Sequence, residues 1–514
     1  MQIVSLPKVG ANKIPDAKSI LNVPQKILFV GQKLAAGSAT AGVLVENIAN
    51  GGAEDALFGA KSMIAAMVRA AKAENKETQM DAIPLDDAGA GVQATGTIAF
   101  SGTATAVGTL VVNIGSRVNY SYELAVTNTM TATALGGLLV AAITADTKSQ
   151  VTAVNTAGSV AITAVHKGTI GNGIGLEVQG SVAGITTTVT AMASGATNPT
   201  LTSIFSVIGE SRYQTIVFPS EYGFDFVTDD LLDDRFNADN AILSGQAICG
   251  KTDTLANLKS AANGENSPSL VIFGNQKVTE TLYKGSAMFE LDYVIAAQFG
   301  AVKGLRLTDG ANLVDIVSAN TGSTDKIGGM HTASLPYFNT PMPNLPIIDT
   351  GKGFSATEIA ELKTAGVSIV GNNIASNGVL VGEVVTAYKT DAQGNPDTTW
   401  KYLNYVNTGE NVVEYFSNNI KSDYDQSRLT EGDLIADKSM ANQTSIASMM
   451  IKYYKELADM ALVEAGDVAS AFFKNSLVIT FDKSIGKVFI ACKVPIVTQL
   501  REFFISVKIS FNTR

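Results

Sequence analysis

The sequence is poor in the residues from which most catalytic and metal sites are built. Its 514 residues include two cysteines and two histidines. Cys249 and Cys492 lie far apart and belong to no metal or redox motif, so we expect two reduced, buried thiols. His166 falls in a strand-like run and His331 in a glycine-rich loop, and neither has a second ligand at zinc spacing. The sequence therefore predicts a protein that is not an enzyme and uses no cofactor or metal.

Positive charge, long apolar runs and nucleotide motifs are also scarce. A formal net charge of -10 argues against nucleic acid as the main partner. The most apolar window, residues 134–145, is too short to span a bilayer, and residues 1–30 lack the apolar segment of a signal peptide. No further glycine follows Gly31 at phosphate-loop spacing, residues 171–175 read as a turn, and there is no G-x-S-x-G elbow.

An α/β pattern is present in two separate stretches. In the first, strands at residues 26–31 and 79–85 flank an amphipathic helix at 61–73, which predicts a strand-helix-strand crossover. The pattern resumes at Leu201. Its predicted elements are strands at 216–219, 247–249 and 269–273, a helix at 254–262, a mostly helical stretch at 279–300, and a helix that opens with a capping box from Ser355 to Glu358. We therefore predict one discontinuous core domain, residues 26–90 with 201–390.

The stretch between these two parts has a different composition. From residue 91 to 200 the basic residues are Arg117, Lys148 and Lys167. The pattern predicts short strands that alternate with turns, a hairpin turn at residues 114–117 and a helix at 131–144. We predict an inserted β-rich domain, residues 91–200, on the outside of the assembly.

The C-terminal part predicts a small α+β domain at residues 391–494. Helices are expected at 403–420 and 444–464, followed by a two-stranded hairpin at 477–482 and 487–493. Such a hairpin is only marginally stable alone, so we expect it to accept further strands. Its candidate acceptor residues are Leu477, Ile479, Phe481, Val488 and Ile490.

Both ends of the chain resemble strands that pair elsewhere. Residues 503–511 alternate apolar and polar side chains, as a half-buried strand does. The N-terminal residues 2–6 are followed by a loose tether. We therefore predict two exchange arms, residues 1–25 and 495–514, that add strands to neighbouring subunits. Their contact residues are Gln2, Ile3, Val4, Leu6, Phe503, Ile505, Val507, Ile509 and Phe511.

The order of these parts resembles contractile phage tail sheath proteins of the Mu-like type. The resemblance runs nearly end to end and is specific only when its motifs are taken together. The matching stretches are residues 56–59, 63–70, 82–87, 102–110, 167–172, 386–391, 453–457 and 495–511. The resemblance implies a multi-domain α/β fold: a sheath-type α/β core, the inserted β-rich domain, and a C-terminal α+β domain completed by strand exchange between subunits.

The resemblance also implies a function and partners. Such subunits form stacked hexameric rings around a tail tube and contract to drive the tube through the host envelope. The implied partners are further copies of the chain, the tail tube protein, the baseplate and the tail terminator, with no nucleic acid and no membrane insertion. The implied location is the virion, after assembly in the host cytoplasm. Lys421, Lys452 and Lys455 are candidate tube-facing residues, although each taken alone is better explained as a solvated surface charge.

Three other interpretations stay open. The chain is similar enough to sheaths in general to belong to a related phage-tail-like contractile injection particle. A crossover α/β domain with a β-rich insertion is also compatible with a small-molecule-binding enzyme, against which stand the missing motifs. The Gly/Ala/Thr-rich insertion fits a surface adhesin or array protein, against which stands the lack of a signal peptide and anchor.

Overall fold

The computed structural model describes residues 24–201, 204–209, 211–224, 236–237, 241–242, 245–308, 332–373, 378–424, 426–435 and 439–498. The predicted arm strands at 2–6 and 503–511 lie outside these ranges, as does His331. Residue contacts divide the chain into two compact units. We call them the large unit, with main segment Pro24–Glu410, and the C-terminal unit, with described segment Asn411–Pro495.

Several helices begin where a side chain accepts a hydrogen bond from a free backbone N–H group. The α-helices of the described residues are α1 (Ala53–Phe58), α2 (Met63–Glu74), α3 (Ala132–Ala145), α4 (Ile204–Ile208), α5 (Leu255–Asn263), α6 (Asp292–Leu307), α7 (Ala356–Ala365), α8 (Leu403–Tyr424), α9 (Gln443–Asp459) and α10 (Asp467–Ser476). Ser62, Thr131 and Thr254 each accept a hydrogen bond from the N–H three residues later, which starts α2, α3 and α5. The capping box predicted at the start of α7 is confirmed.

The strands follow the apolar, β-branched runs of the sequence. Those of the described residues are β1 (Lys26–Gln32), β2 (Gln79–Leu85), β3 (Gln93–Gly102), β4 (Gly108–Ile114), β5 (Ser116–Val126), β6 (Val151–Thr156), β7 (Ser159–Lys167), β8 (Leu176–Gln179), β9 (Ile185–Ala193), β10 (Thr215–Val217), β11 (Phe236–Asn237), β12 (Ala241–Ile242), β13 (Gln246–Asp253), β14 (Leu270–Glu280), β15 (Tyr283–Ser286), β16 (Val367–Ser368), β17 (Val370–Asn373), β18 (Gly378–Val381), β19 (Arg428–Leu429), β20 (Met440–Ala441), β21 (Val478–Asp482) and β22 (Lys487–Ala491).

A mixed sheet organises the large unit. Its strands β2, β1, β10, β13 and β14 lie side by side in parallel. Successive residues of β1 point to opposite faces: Phe29 joins an apolar cluster with α2 and α6, whereas Leu28 joins one with α4, α5 and α7. Both faces of the parallel part are therefore covered by helices, as such sheets require. The mixed α/β class predicted from the sequence is confirmed.

The same sheet continues into the predicted insertion. The end of β14 pairs antiparallel with β15, and β15 pairs with β8. β8 in turn pairs with β4, and β4 pairs with β5. The predicted hairpin turn at Gly115 joins β4 to β5 and is confirmed; its φ of 79° suits glycine. The remaining strands of residues 91–200 form a separate sheet in the order β6, β7, β3, β9. Strands of the insertion and of the core thus share one sheet, and the domain boundaries stay a prediction.

The prediction that residues 279–300 are mostly helical is wrong for the first part of that stretch. β14 continues to Glu280, β15 follows, and α6 begins only at Asp292. A Cβ on Gly285 would lie 2.8 Å from the Cα of Gly175, so the two backbones are in close contact here. β15 is a strand because it pairs with β8, which is distant in sequence. The local spacing of residues does not indicate this strand.

Arg117 clamps β5 to two other parts of the large unit. Its guanidinium donates to both carboxylate oxygens of Glu177, at 2.9 and 2.6 Å, and to both of Asp349, at 2.9 and 2.7 Å. It also lies over the Tyr283 ring, 5.3 Å from the ring centre. Burial opposes the charge, yet the hydrogen bonds to the two carboxylates raise the pKa of Arg117. The hydrogen bonds from Arg117 likewise hold the pKa of Asp349 below the usual range.

Candidate subunit-interaction site

The predicted acceptor hairpin is present near the end of the C-terminal unit. β21 and β22 pair antiparallel, with Ile479 opposite Ile490 and Phe481 opposite Val488. These four side chains share one face of the hairpin, as the alternation predicted. The turn between the strands is closed by Asp482, whose carboxylate accepts hydrogen bonds from the backbone N–H and hydroxyl of Ser484 at 3.0 and 2.5 Å.

The hairpin is poorly covered. None of its ten strand residues is buried, and the fifth predicted acceptor residue, Leu477, is half-buried just before β21. On the face opposite the predicted one, Val478 is 56% exposed and Phe489 is 53% exposed. Among the described residues no third strand joins this pair. A two-stranded hairpin with bare edges is a ready template for strands of another chain.

The hairpin is nevertheless held in place at its base. The side-chain amide of Gln443, at the start of α9, donates to the backbone carbonyl of Ile479 at 3.1 Å. The hydroxyl of Ser476, at the end of α10, accepts from the N–H of Lys493 at 2.8 Å and donates to its carbonyl at 3.3 Å. The hairpin is therefore held in place by other parts of its own chain.

The C-terminal unit contains an aromatic core. Phe473 of α10 is fully buried and stacks against Tyr454, with ring centres 4.4 Å apart. Its other side faces Phe416 of α8, whose ring lies parallel at 6.1 Å. The hydroxyl of Tyr453 donates to Asp423 at 2.5 Å, which ties α9 to α8. The predicted helices at 403–420 and 444–464 are confirmed, although α9 ends at Asp459.

The three candidate tube-facing lysines are exposed on helices of this unit. Lys421 lies near the end of α8, and Lys452 and Lys455 lie on α9. Lys452 is 3.8 Å from Glu456, one turn along the same helix, which is an exposed ion pair of small energetic value. The structure places all three in solvent, and their contact with a tube stays a prediction.

Two exposed apolar residues of α10 were missed from the sequence. Val468 is 87% exposed and Phe472 is 51% exposed. They are four residues apart, so they share one face of the helix. This i, i+4 spacing was readable in the sequence, and it would have marked a second apolar surface in the C-terminal unit.

A partly buried polar junction in the large unit was also missed. Asp87, just after β2, accepts hydrogen bonds from the side chain of Gln32 at 2.6 Å and from the N–H of Lys167 at 3.0 Å. His166 places Nδ1 at 2.9 Å from the same carboxylate. The junction lies at the carboxyl ends of β1 and β2, where open α/β sheets commonly bind ligands. Because His166 and Lys167 belong to β7, a strand of residues 91–200 occupies this edge of the sheet.

Other candidate chemistry is sparse within the described ranges. No group of three His, Cys, Asp or Glu side chains there is placed to hold a metal ion. No described helix is long and apolar enough to cross a membrane. The two thiols are unpaired; Cys249 is buried, and burial raises its pKa, whereas Cys492 is half-buried. The expectation of two free thiols is met, with Cys492 less buried than expected.

Comparison with known proteins found a sequence match to a curated protein. Over 199 residues the chain is 35% identical to the Mu-like prophage FluMu tail sheath protein of Haemophilus influenzae. The match covers 38% of this chain and 40% of that protein, so it spans about two fifths of the relative's length. No protein-family model matches the chain.

Solved structures of low sequence identity were also found. A sheath tail protein of Desulfitobacterium hafniense is 12% identical, with 97% of this chain and 98% of that chain covered and a TM-score of 0.46. The anti-feeding prophage helical sheath in its contracted state is 12% identical, with 99% and 100% covered and a TM-score of 0.45. By its sequence match, this chain is similar to a Mu-like tail sheath protein, and the resemblance indicated by its motifs is confirmed.

Proposed function

We propose that this chain is the structural subunit of a contractile phage tail sheath. The observation that carries the proposal is the 199-residue match to a Mu-like tail sheath protein at 35% identity. Subunits polymerise as stacked hexameric rings around a tail tube and contract to drive the tube through the host envelope. The role is structural rather than catalytic, and the protein is a virion component assembled in the host cytoplasm.

Strand exchange through the C-terminal hairpin is the proposed link between subunits. Residues 503–511 of one neighbour pair with an open edge of β21 or β22, and residues 2–6 of another neighbour add a further strand. The support is the hairpin itself, which has exposed edges, half-buried apolar side chains and a fixed base. Each added strand pairs free backbone groups, and each large side chain that it buries contributes about 1.5–3 kcal/mol.

The sheath works as a lattice with two packings rather than through a chemical step. The arms hold neighbours together while the bodies rotate and repack from an extended, higher-energy state to a contracted one. Lys421, Lys452 and Lys455 are proposed to face carboxylates of the tail tube protein. The baseplate and the tail terminator are the proposed partners at the ends of the sheath.

Removal of the C-terminal exchange arm, residues 495–514, tests the proposal. A chain that ends at Lys493 should stay folded by circular dichroism, because the aromatic core of the C-terminal unit remains, yet it should fail to form tubes in sedimentation and negative-stain microscopy. Val507→Pro should act in the same way, since proline removes a backbone donor from the added strand. Val507→Thr keeps the strand preference and serves as the matched control.

The outcomes separate the parts of the proposal. Tubes from the shortened chain would show that this arm is not the link. Unfolding of the shortened chain as a monomer would show that residues 503–511 complete the sheet of their own subunit. Failure of the full-length chain to form any tube or ring, alone or with a tail tube protein, would contradict the sheath function itself.

A further inference from the structure

His166 occupies the N-terminus of helix α2. This helix follows β1, so its first turn lies at the carboxyl edge of the parallel sheet, beside the end of β2. Helix N-termini carry free N–H groups and a partial positive charge, and in many α/β proteins they bind anions. Here an imidazole from β7 takes that place, so the strand is docked onto the helix by a titratable side chain.

The geometry around the imidazole defines which nitrogen carries the proton. The backbone N–H of Met63, the first residue of α2, donates to Nε2 of His166 at 3.0 Å. Only a nitrogen without a proton can accept this hydrogen bond. Nδ1, 2.9 Å from the Asp87 carboxylate, therefore carries the proton and donates it to that carboxylate. His166 is 5% exposed and Met63 is 1% exposed, so water does not readily replace the bond between them.

Asp87 is built to stay ionised. Burial favours its neutral form, but hydrogen bonds from His166, from the N–H of Lys167 and from Gln32 hold its pKa below the usual range. The hydroxyl of Tyr222 in turn donates to the Gln32 side-chain oxygen at 3.1 Å. The orientation of Asp87, and through it the imidazole, is thus held by groups from three segments of the chain.

The other side chains that line the small cavity next to His166 are uncharged. Tyr293 of α6 lines the small cavity next to the ring, and its hydroxyl donates to Gln150 at 3.3 Å. Burial raises the pKa of Tyr293 and of Tyr222, so both stay neutral. The rest of the cavity is lined mainly by apolar side chains: Met63, Ala164, Ile170 and Ile174.

We propose that His166 is an acid-sensitive latch that docks strand β7 onto the first turn of α2. When Nε2 takes up a proton, two N–H groups face each other and the bond to Met63 is lost. The new positive charge also lies at the unfavourable end of the helix dipole. Attraction to Asp87 keeps the protonated ring near that carboxylate, so the contact that opens is the one between β7 and α2.

Hydrogen exchange on the full-length wild-type protein tests the latch. After correction for intrinsic exchange rates, amides at the start of α2 and in β7 should lose about tenfold of their protection between pH 8 and pH 5, as loss of one hydrogen bond predicts. His166→Gln should abolish this local pH dependence, because an amide oxygen can accept from Met63 and its NH₂ group can donate to Asp87 without titrating. His331→Gln, the other histidine, is the matched control and should leave it unchanged.

A spectroscopic measurement needs no variant of His166 itself. In ¹⁵N-histidine-labelled protein at pH 8, carrying His331→Gln to leave one signal, the shifts should show a proton on Nδ1 and none on Nε2. A proton on Nε2 at that pH would overturn the proposal. So would undiminished protection at pH 5 in the wild type, or an equal loss of protection in the His166→Gln variant.

Discussion

Replacing Arg117 with alanine should destabilise the large unit by about 3–5 kcal/mol, the cost of leaving a buried charge without its partner. The loss should come from Glu177, whose side chain is 5% exposed, and little from Asp349, which is 41% exposed and returns to water. Asp349→Asn alone should therefore cost less than about 1 kcal/mol. The loss of stability for Arg117→Lys should lie between these two values. Lysine keeps the positive charge but lacks the planar guanidinium that binds a carboxylate through two hydrogen bonds.

Urea unfolding measures these differences. Trp400 is the single tryptophan and lies in the large unit, so its fluorescence reports on the same unit as Arg117. Glu177→Gln added to Arg117→Ala should restore part of the lost stability, since Asn113 still donates to that side chain. If Arg117→Ala and Asp349→Asn cost the same, or if Glu177→Gln restores nothing, the buried carboxylate is not the source of the loss.

Three further substitutions test buried groups by unfolding measurements. Burial lowers the pKa of Lys303 to about 7, and the unfolded chain holds this proton to about pH 10.4. Wild-type stability should therefore rise relative to Lys303→Met between those values. Burial raises the pKa of Glu290 from 4.5 to about 8. Between these pH values the folded state therefore holds a proton on Glu290 that the unfolded chain has lost. Wild-type stability should then fall relative to Glu290→Gln as pH rises from 4.5 to 8. Phe473→Ala should cost the C-terminal unit about 3–5 kcal/mol; a loss below 1 kcal/mol would contradict its central place in the aromatic stack.

Local patterns in the sequence were sufficient for much of the secondary structure. The crossover from β1 through α2 to β2, the turn at Gly115, the capping box at Ser355 and the pairing of β21 with β22 all depend on residues close together in the chain. Apolar periodicity, turn residues and helix caps act over a few residues, so a single sequence reveals them. The face that Ile479, Phe481, Val488 and Ile490 share followed from the same alternation.

Features that depend on distant parts of the chain were decided by the tertiary structure. The stretch containing β15 is a strand because β8 and β14 lie beside it, and local spacing wrongly indicated a helix. Arg117 was visible as a rare basic residue, but its two carboxylate partners were not. His166 was correctly placed in a strand, whereas its contact with Met63 at a helix N-terminus required the folded chain. The sequence alone determined which segments form helices and strands wherever nearby side chains decide it; which strands pair, and which buried charges meet, was decided by packing between residues far apart in the chain, because those contacts have no local pattern.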